Sequence, residues 1–547
     1  MRRAAILAAV TAAALAGAGQ AAAARFAVGV DSAASLPRVE SHLRAYGKVS
    51  RDLARLNVVV VNGRTVRGVK RISGVRWVEW LGSRRRRLAF TPTDPLASKQ
   101  WYLQQVHAFD FWAEPPVLSN VKVGIVDSGI DLTHPDLGAR VFADRSFVGG
   151  SVADTQGHGT FVAGEVAAAV NNSEGIAGIG LPAQLLIAKV VRADGTISLE
   201  GEAKAIRWAA DEGARVINLS LGGLRDPRNP SRDTYSPLEA AAVDYATAKG
   251  VLVVAAVGNS DQAPYSPWPY ASYPAALPHV VGVSSLARDG SVSDFSDRDA
   301  LYNDIAAPGE DIFSTLPRAL TRSNAGCGDQ GYSDCGPDDF RHAEGTSFAA
   351  PQVAAAAALL FGQNPGLRAN QVASILERSA DDLNSSTGCS ACPPLRDALS
   401  GWGRLDIASA LTALTKTPVP PPDRFEPNDD VGVQTTARLT GVRGKLGATL
   451  DFWDDPTDVY PVDLTGGARL RLSVAGPAAA TVRLWSPQTR TVFGAAVRKL
   501  QVASSRLVGA NQGLGYVVPA AKGGRYYVQV TLQRPGAGAY TLRWAKR

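Results

Sequence analysis

The chain has 547 residues, 45% hydrophobic and 20% charged, with 54 glycines and 33 prolines. This is the balance of a multi-domain globular protein, and it excludes wholesale disorder and low complexity. Past the first 24 residues there is no apolar run of about 18 residues, which excludes a polytopic membrane protein. The formal charge of +7 suggests a nucleic-acid partner only until it is mapped. Residues 25–90 carry 15 Lys/Arg against 4 Asp/Glu, whereas residues 91–547 have a net charge of −6. With the first sixth removed the remainder is acidic, and nucleic acid has no electrostatic motive to bind it.

Residues 1–24 begin with Arg2 and Arg3, continue through an Ala/Leu/Ile/Val-rich stretch from Ala4 to Ala18, and end in the small residues Ala21–Ala24. A charged start, a short apolar core and an Ala-x-Ala end predict a secretory signal peptide. The product is then expected to be secreted and extracellular, with no membrane contact after cleavage. An oxidising destination preserves disulfides. The four cysteines, Cys327, Cys335, Cys389 and Cys392, allow three pairings, of which the local one (Cys327 with Cys335, Cys389 with Cys392) is favoured. Cys389-Ser-Ala-Cys392 could instead be half of a zinc site, but no second His/Cys pair stands at ligand spacing.

Residues 25–90 alternate short elements: strands over 26–30, 56–61 and 75–80, helices over 36–46 and 65–72. This small α+β module ends in Arg84-Arg85-Arg86-Arg87, a run that resists burial and predicts an exposed, protease-accessible loop. From 94 to 413 apolar runs alternate with helical stretches. Val121–Val126, Leu185–Val191, Val216–Leu221, Val251–Val257 and Val280–Val283 read as parallel strands buried on both faces, with helices at Leu199–Glu212 and Leu238–Lys249 between them. The fold class expected is α/β, a mostly parallel sheet flanked by helices. Residues 414–422, with Pro418-Val-Pro-Pro-Pro422, form a stiff linker. Over 423–547 short alternating strands such as Leu470–Val474, Thr481–Trp485 and Tyr526–Leu532 predict a C-terminal β-sandwich.

Three segments of the middle domain carry chemistry: Val123-Gly-Ile-Val-Asp127-Ser-Gly129, Gly157-His158-Gly159-Thr160, and Gly345-Thr-Ser347-Phe-Ala-Ala-Pro351. Asp127 ends a predicted parallel strand, at the sheet edge where open α/β sheets place their sites. A serine hydroxyl needs an adjacent base, imidazole supplies one, and a buried carboxylate holds the imidazole in the right tautomer. The chain order Asp, His, Ser is that of the subtilisin arrangement.

Over about 94–413 these segments resemble the subtilisin-like (subtilase) serine proteases. The resemblance implies Asp127 as orienting acid, His158 as general base and Ser347 as nucleophile. Val253-Val-Ala-Ala-Val-Gly-Asn259 is similar to the family's oxyanion-hole segment, which assigns Asn259 and the Ser347 N–H to the developing oxyanion. It further implies that substrate backbone pairs with Ser220-Leu221-Gly222, and that Ser272 is the small floor of a specificity pocket admitting a large apolar side chain. Peptides and proteins are the expected substrates, cleaved by a serine endopeptidase that forms an acyl-enzyme. Val170 to Ile176 resembles a calcium loop, with Asp94, Asp136, Val170, Asn172, Glu174 and Ile176 as ligands to a structural calcium. No cofactor is expected for catalysis itself. The family often has Met and His where this chain has Phe348 and Gln352.

Residues 25–90 resemble a subtilase propeptide, an inhibitor removed near 87–93 to activate a zymogen. Its basic charge suits docking on an acidic catalytic part. Residues 423–547 resemble the pre-peptidase C-terminal domain, on the strength of Asp423-Arg-Phe-Glu426-Pro-Asn-Asp-Asp430 and Asp455-Pro-Thr-Asp458-Val-Tyr460, whose acids are expected to form a solvated turn rather than a calcium site. The mature protein is expected to be a monomer.

Overall fold

The computed structural model describes residues 24–51, 53–63, 68–80, 90–323, 339–385, 387–394, 396–414, 424–425, 428, 430–431, 437–452, 456–477, 480–492, 495–534 and 537–547. Residues 1–23 of the expected signal peptide, Arg84–Arg87, Cys327, Cys335 and Pro418–Pro422 lie outside them. The chain divides into two compact units, Met1–Arg87 and Leu88–Arg547.

In the first unit β1 (Ala24–Val30), β2 (Gly47–Ser50), β3 (Val58–Gly63) and β4 (Val75–Trp80) form an antiparallel sheet in the order β2-β3-β1-β4, with α1 (Leu36–Leu43) beside it. Phe26, Val28, Val39, Leu43, Val59 and Val61 make its core. The helix expected to run to residue 46 stops at Leu43, because Gly47–Ser50 is drawn into pairing with β3. The second expected helix is only a 3-10 turn, Val69–Arg71.

The second unit begins with α2 (Tyr102–Gln105) and β5 (Val121–Asp127). It continues through β6 (Val141–Ser146), α3 (His158–Ala167), β7 (Ala183–Lys189), α4 (Leu199–Asp211), β8 (Val216–Leu219), α5 (Pro237–Ala248), β9 (Leu252–Ala256), β10 (Val280–Leu286) and β11 (Ile305–Pro308). A short antiparallel pair, β12 (Ile312–Thr315) and β13 (Phe340–Ala343), with α6 (Arg318–Ser323) between them, leads to α7 (Thr346–Gln363), α8 (Ala369–Arg378) and α9 (Ile407–Ala413). The seven-stranded sheet has the order β11-β10-β9-β8-β5-β7-β6, and its strand pairs are parallel. β5 to β7 grow the sheet one way and β8 to β11 the other. The strand order therefore reverses between β5 and β8, and a crevice opens at their carboxyl ends.

Helices cover both faces. On one side α7, buried from Phe348 to Gly362, packs with α3 against the sheet; its Ala354–Ala358 stretch lets a helix run through the middle of a core. On the other side α4 and α5 cover β7 to β9. Ser198 and Ser236 cap those two helices by accepting from Gly201 N and Glu239 N.

The C-terminal part is a sandwich of two antiparallel sheets. β14 (Arg443–Asp451), β15 (Thr457–Leu464), β16 (Arg469–Ala475), β17 (Ala480–Trp485), β18 (Gln501–Ser504), β19 (Arg506–Val508), β20 (Asn511–Val517), β21 (Gly524–Leu532) and β22 (Ala537–Lys546) arrange as β14-β22-β16-β20-β19 over β15-β21-β17-β18. The expectation of a solvated turn fails at Asp458. It is fully buried in β15, where Tyr460 donates to its Oδ2 at 3.0 Å and Tyr540 donates to the same oxygen. Alternation along the strand turns this acid inward, and the tyrosine hydroxyls make its burial tolerable. The sandwich rests on the α/β layers: Tyr235 on the loop before α5 meets Thr491 at 3.1 Å, and the Arg396 guanidinium lies 4.6 Å from the centre of the Phe452 ring. A cavity of about 690 Å³ lies between the two, lined by Arg225, Tyr302, Arg483 and Trp485 among others, and away from the residues considered next.

Candidate active site

Asp127 is the last residue of β5, 3% exposed, at the carboxyl edge where the strand order reverses. His158 is the first residue of α3. Its Nδ1 lies 2.8 Å from Asp127 Oδ1 and 3.0 Å from Oδ2. Burial of the ring lowers the imidazole pKa. The charge and hydrogen bond of Asp127, helped by Asp154, outweigh burial and leave it raised above its ordinary value.

The pair is locked by residues that the sequence reading passed over. Buried Asp154 accepts at Oδ1 from Ser128 Oγ (2.9 Å), Gln156 N (3.0 Å) and Gly157 N (2.8 Å), and at Oδ2 from Thr160 N (2.9 Å) and Thr160 Oγ1 (2.7 Å). It thereby satisfies amides at the head of α3 that have no partner within the helix. Ser128 Oγ accepts in turn from Gly159 N at 2.8 Å, and Ser128 N donates to Asp127 Oδ1 at 2.7 Å. The strand bearing the acid and the helix bearing the base are thus bolted together. Gly159 has to be small: a Cβ there would stand 2.3 Å from the Gly129 carbonyl oxygen. An Asp four residues before His158, just ahead of a helix, is a capping signal that was available in the sequence.

Ser347 is the second residue of α7. Its carbonyl accepts from Ser220 Oγ at 2.6 Å, and its hydroxyl donates to the Ser220 carbonyl at 3.2 Å, so the end of β8 and the start of α7 clasp each other. Asn218 Nδ2 donates to Ser220 Oγ at 2.9 Å. The hydroxyl therefore rests on Ser220 rather than on the imidazole; rotation about its side-chain bond redirects it, and such bonds are commonly loose without substrate. Asn259 follows β9. Its Oδ1 accepts from Thr346 N (2.8 Å) and Thr346 Oγ1 (2.7 Å), which fixes the amide and leaves Nδ2 available. The Ser347 N–H, in the first turn of α7, is among the amides without an intrahelical acceptor.

All four residues line one cavity of about 240 Å³, together with Ser220, Leu221, Gly222 and Ser272. Gly223 and Tyr273 exchange backbone hydrogen bonds at 2.8 and 2.9 Å, closing one wall. A Cβ at Gly222 would stand 2.5 Å from the Tyr273 carbonyl oxygen, so glycine is required there by close approach. Phe348 fills the place behind the base, its ring 5.4 Å from that of His158 and 4.5 Å from that of Phe161. Gln352 donates to the Pro308 carbonyl at 2.7 Å and to the Phe348 carbonyl at 2.9 Å.

Away from the cavity, the loop from Val170 to Ile176 gathers two buried acids. Asp94 accepts from Asn171 N (2.9 Å) and Asn172 N (3.1 Å), and Asp136 from Asn172 Nδ2 (2.8 Å) and Ile176 N (2.9 Å). Burial pushes Asp136 up despite these bonds. Asn171 and Ser173 adopt positive φ (62° and 66°), so the loop is tightly wound. These two buried carboxylates, whose oxygens accept from N–H groups of the loop, are the residues here that could hold a hard cation. Asn172 turns its Nδ2 to Asp136 and its Oδ1 to Glu174 N, so its oxygen faces the loop rather than the acids. Cys389 and Cys392 form a disulfide, which removes the zinc alternative for that pair.

Comparison with known proteins agrees with this geometry. The description of the subtilase family matches residues 119–403. Thermitase from Thermoactinomyces vulgaris is 35% identical over 305 residues, covering 55% of this chain and 94% of thermitase. Subtilisin BL from Lederbergia lenta is 38% identical over 270 residues, covering 49% of this chain and 86% of that protein. Among solved structures, a protease from Pseudoalteromonas arctica superposes with a TM-score of 0.47 at 26% identity, over 59% of this chain and 100% of that one. A parallel sheet that reverses its order beside an aspartate-bound histidine, and a match spanning the whole of those layers, place this chain in the subtilase family of serine endopeptidases.

Proposed function

We infer that Ser347 is the nucleophile, His158 the general base, Asp127 its orienting carboxylate and Asn259 an oxyanion donor, in a secreted endopeptidase made as a zymogen. The observation that carries this is the Asp127–His158 pair sharing one cavity with Ser347 and Asn259. In the acylation step Ser347 Oγ attacks the scissile carbonyl carbon while its proton passes to His158 Nε2. Negative charge then develops on the carbonyl oxygen, within reach of Asn259 Nδ2 and the Ser347 N–H. For a donor of this kind the loss on removal, measured in this same family, is about 10²–10³-fold in turnover. His158 next gives its proton to the departing amine, and water attacks the acyl-enzyme by the reverse route. Substrate backbone is held along Leu221 and Gly222, where the absence of a side chain lets another strand approach.

Secretion and the zymogen are supported by the leader sequence and by the basic residues 25–90 set against an acidic remainder. Calcium between Asp94, Asp136 and the Val170–Ile176 loop would tie the end of α3 to the chain entering the domain, as a structural ion that takes no part in catalysis. The deciding experiment is a casein assay on secreted protein, with and without a serine-directed organophosphonate, alongside Ser347→Ala. Cleavage is expected that the reagent abolishes, with the label on Ser347 and none on the variant. Activity that survives both would overturn the assignment. N-terminal sequencing of the secreted product is expected to start within residues 87–93; a start at Arg25 contradicts the propeptide.

A further inference from the structure

The triad cavity has no Lys or Arg in its lining, yet three carboxyl groups border it: Asp127, Asp261 and Asp297. Asp127 is committed to His158 and Asp261 stands exposed at the rim. Asp297 is different: it is 1% exposed and part of the cavity wall. Its backbone is held from two sides, N donating to the Gly258 carbonyl (2.9 Å) and O accepting from Asn303 Nδ2 (3.0 Å). Ser260 Oγ donates to Oδ1 at 2.6 Å. Oδ2 has a single long contact, to Ser272 Oγ at 3.4 Å. A Cβ at Gly258 would stand 2.3 Å from that Oδ2 and 2.5 Å from Ser272 Oγ, so glycine is required for the carboxyl to pack this closely against the oxyanion segment.

Neighbouring buried acids each have an arginine: Asp299 pairs with Arg225 at 2.7 Å, Asp226 with Arg232 at 2.7 Å and Asp304 with Arg396 at 3.2 Å. Asp297 has no such cation among the described residues. Burial, against the hydrogen bonds of Ser260 and Ser272 and with the charge of Asp261 adding to it, pushes its carboxyl up to about 7. A cation brought beside such a carboxyl favours its charged form.

We propose that the cavity selects substrates with a cationic side chain, lysine or arginine, on the residue preceding the scissile bond, paired with Asp297 where it lines the cavity beside Gly258 and Ser272. The small floor read from the sequence at Ser272 then opens onto a carboxylate instead of closing an apolar slot. This rests on the endopeptidase reading above and names its substrate class. A charge-assisted hydrogen bond corresponds to about ten- to hundredfold in selectivity.

The test compares full-length processed enzyme and Asp297→Asn on peptides that differ only before the scissile bond: lysine against norleucine, and arginine against citrulline. Wild type is expected to prefer each cation over its neutral partner by at least about tenfold, and in the variant both ratios are expected to fall toward one, whatever the absolute rates. Equal cleavage of the paired peptides by wild type, or ratios that survive in Asp297→Asn, overturn the proposal. The second measurement needs no turnover: calorimetric binding of benzamidinium against neutral benzamide to wild type. Selective binding of the cation supports the pairing, and equal or no binding of the two sinks it even if the variant fails to fold. Absence of cleavage of every peptide, with selective benzamidinium binding, refutes the endopeptidase reading and leaves the charge pairing standing.

Discussion

Asp154 does more at the scale of single residues than its anonymity in the sequence suggests. Five donors converge on it, three of them backbone amides within two residues of the base, and its charge helps to stabilise the imidazolium. His158 must be neutral to accept the serine proton, so a raised imidazole pKa moves the acid limb of kcat/KM upward. Asp154→Asn removes a negative charge that favours the imidazolium. The limb is then expected to shift to lower pH, while kcat falls because the helix head loses an acceptor; a limb that stays in place would make Asp154 purely structural. Phe348 supplies a second expectation. Met1 is the sole methionine, so a processed enzyme has no thioether anywhere, and an aromatic ring stands behind the base. Activity is expected to survive peroxide, because nothing beside Ser347 can become a sulfoxide; rapid loss with the disulfide intact contradicts this.

Helices α4 and α5 pose a different question, since two acids face each other between them. Glu202 and Glu239 are 3% and 5% exposed, and burial pushes both carboxyls up, Glu239 further because Glu202 is its neighbour. Together they retain a proton that the unfolded chain would release, so this pair stabilises the fold less and less as pH climbs above the ordinary carboxylate range. Replacing one acid by its amide keeps a hydrogen bond and removes the repulsion. Glu239→Gln is expected to raise the melting temperature at pH 9 by about 2–4 °C, on the order of 1 kcal/mol, with little gain at pH 5. A scan that moves equally at both pH values would show that ionisation is not the cause. These two helices were legible as stretches between the apolar strand runs, and their bounds fall within a residue of expectation. The facing of Glu202 and Glu239 was not, because pairing across two helices depends on how they pack.

Across the whole molecule the catalytic layers carry two additions, the small N-terminal unit and the C-terminal sandwich, and one candidate ion site. The loop from Val170 to Ile176 closes over Asp94 and Asp136, residues 42 positions apart, so a cation there would cross-link distant chain. A ligand that binds only the folded state stabilises by mass action. Chelation is expected to lower the melting temperature and speed self-digestion, calcium to restore both, and Asp136→Asn to remove the response. Identical melting curves with chelator and with calcium would leave the acids as plain loop anchors.

The residues proposed for catalysis stand out in the sequence because each sits in a short pattern whose local geometry is built in. Asp127 ends an apolar run that reads as a buried strand, while His158 directly after Gly157 and Ser347 two residues after Gly345 stand at helix heads, where backbone freedom and free amides coincide. Periodicity likewise announced the fold class, since apolar runs alternate with helical stretches in the middle of the chain and short alternating strands follow. Contacts between segments far apart in sequence were hidden. The bolt through Ser128 and Asp154, the clasp of Ser220 on Ser347, and the bare carboxyl of Asp297 behind Ser272 each join residues 25 to 127 positions apart. Periodicity reports which face of an element is apolar. Which polar atom meets which across a core, and which charge is left without a partner, is settled only when sheet order and helix packing bring those segments together.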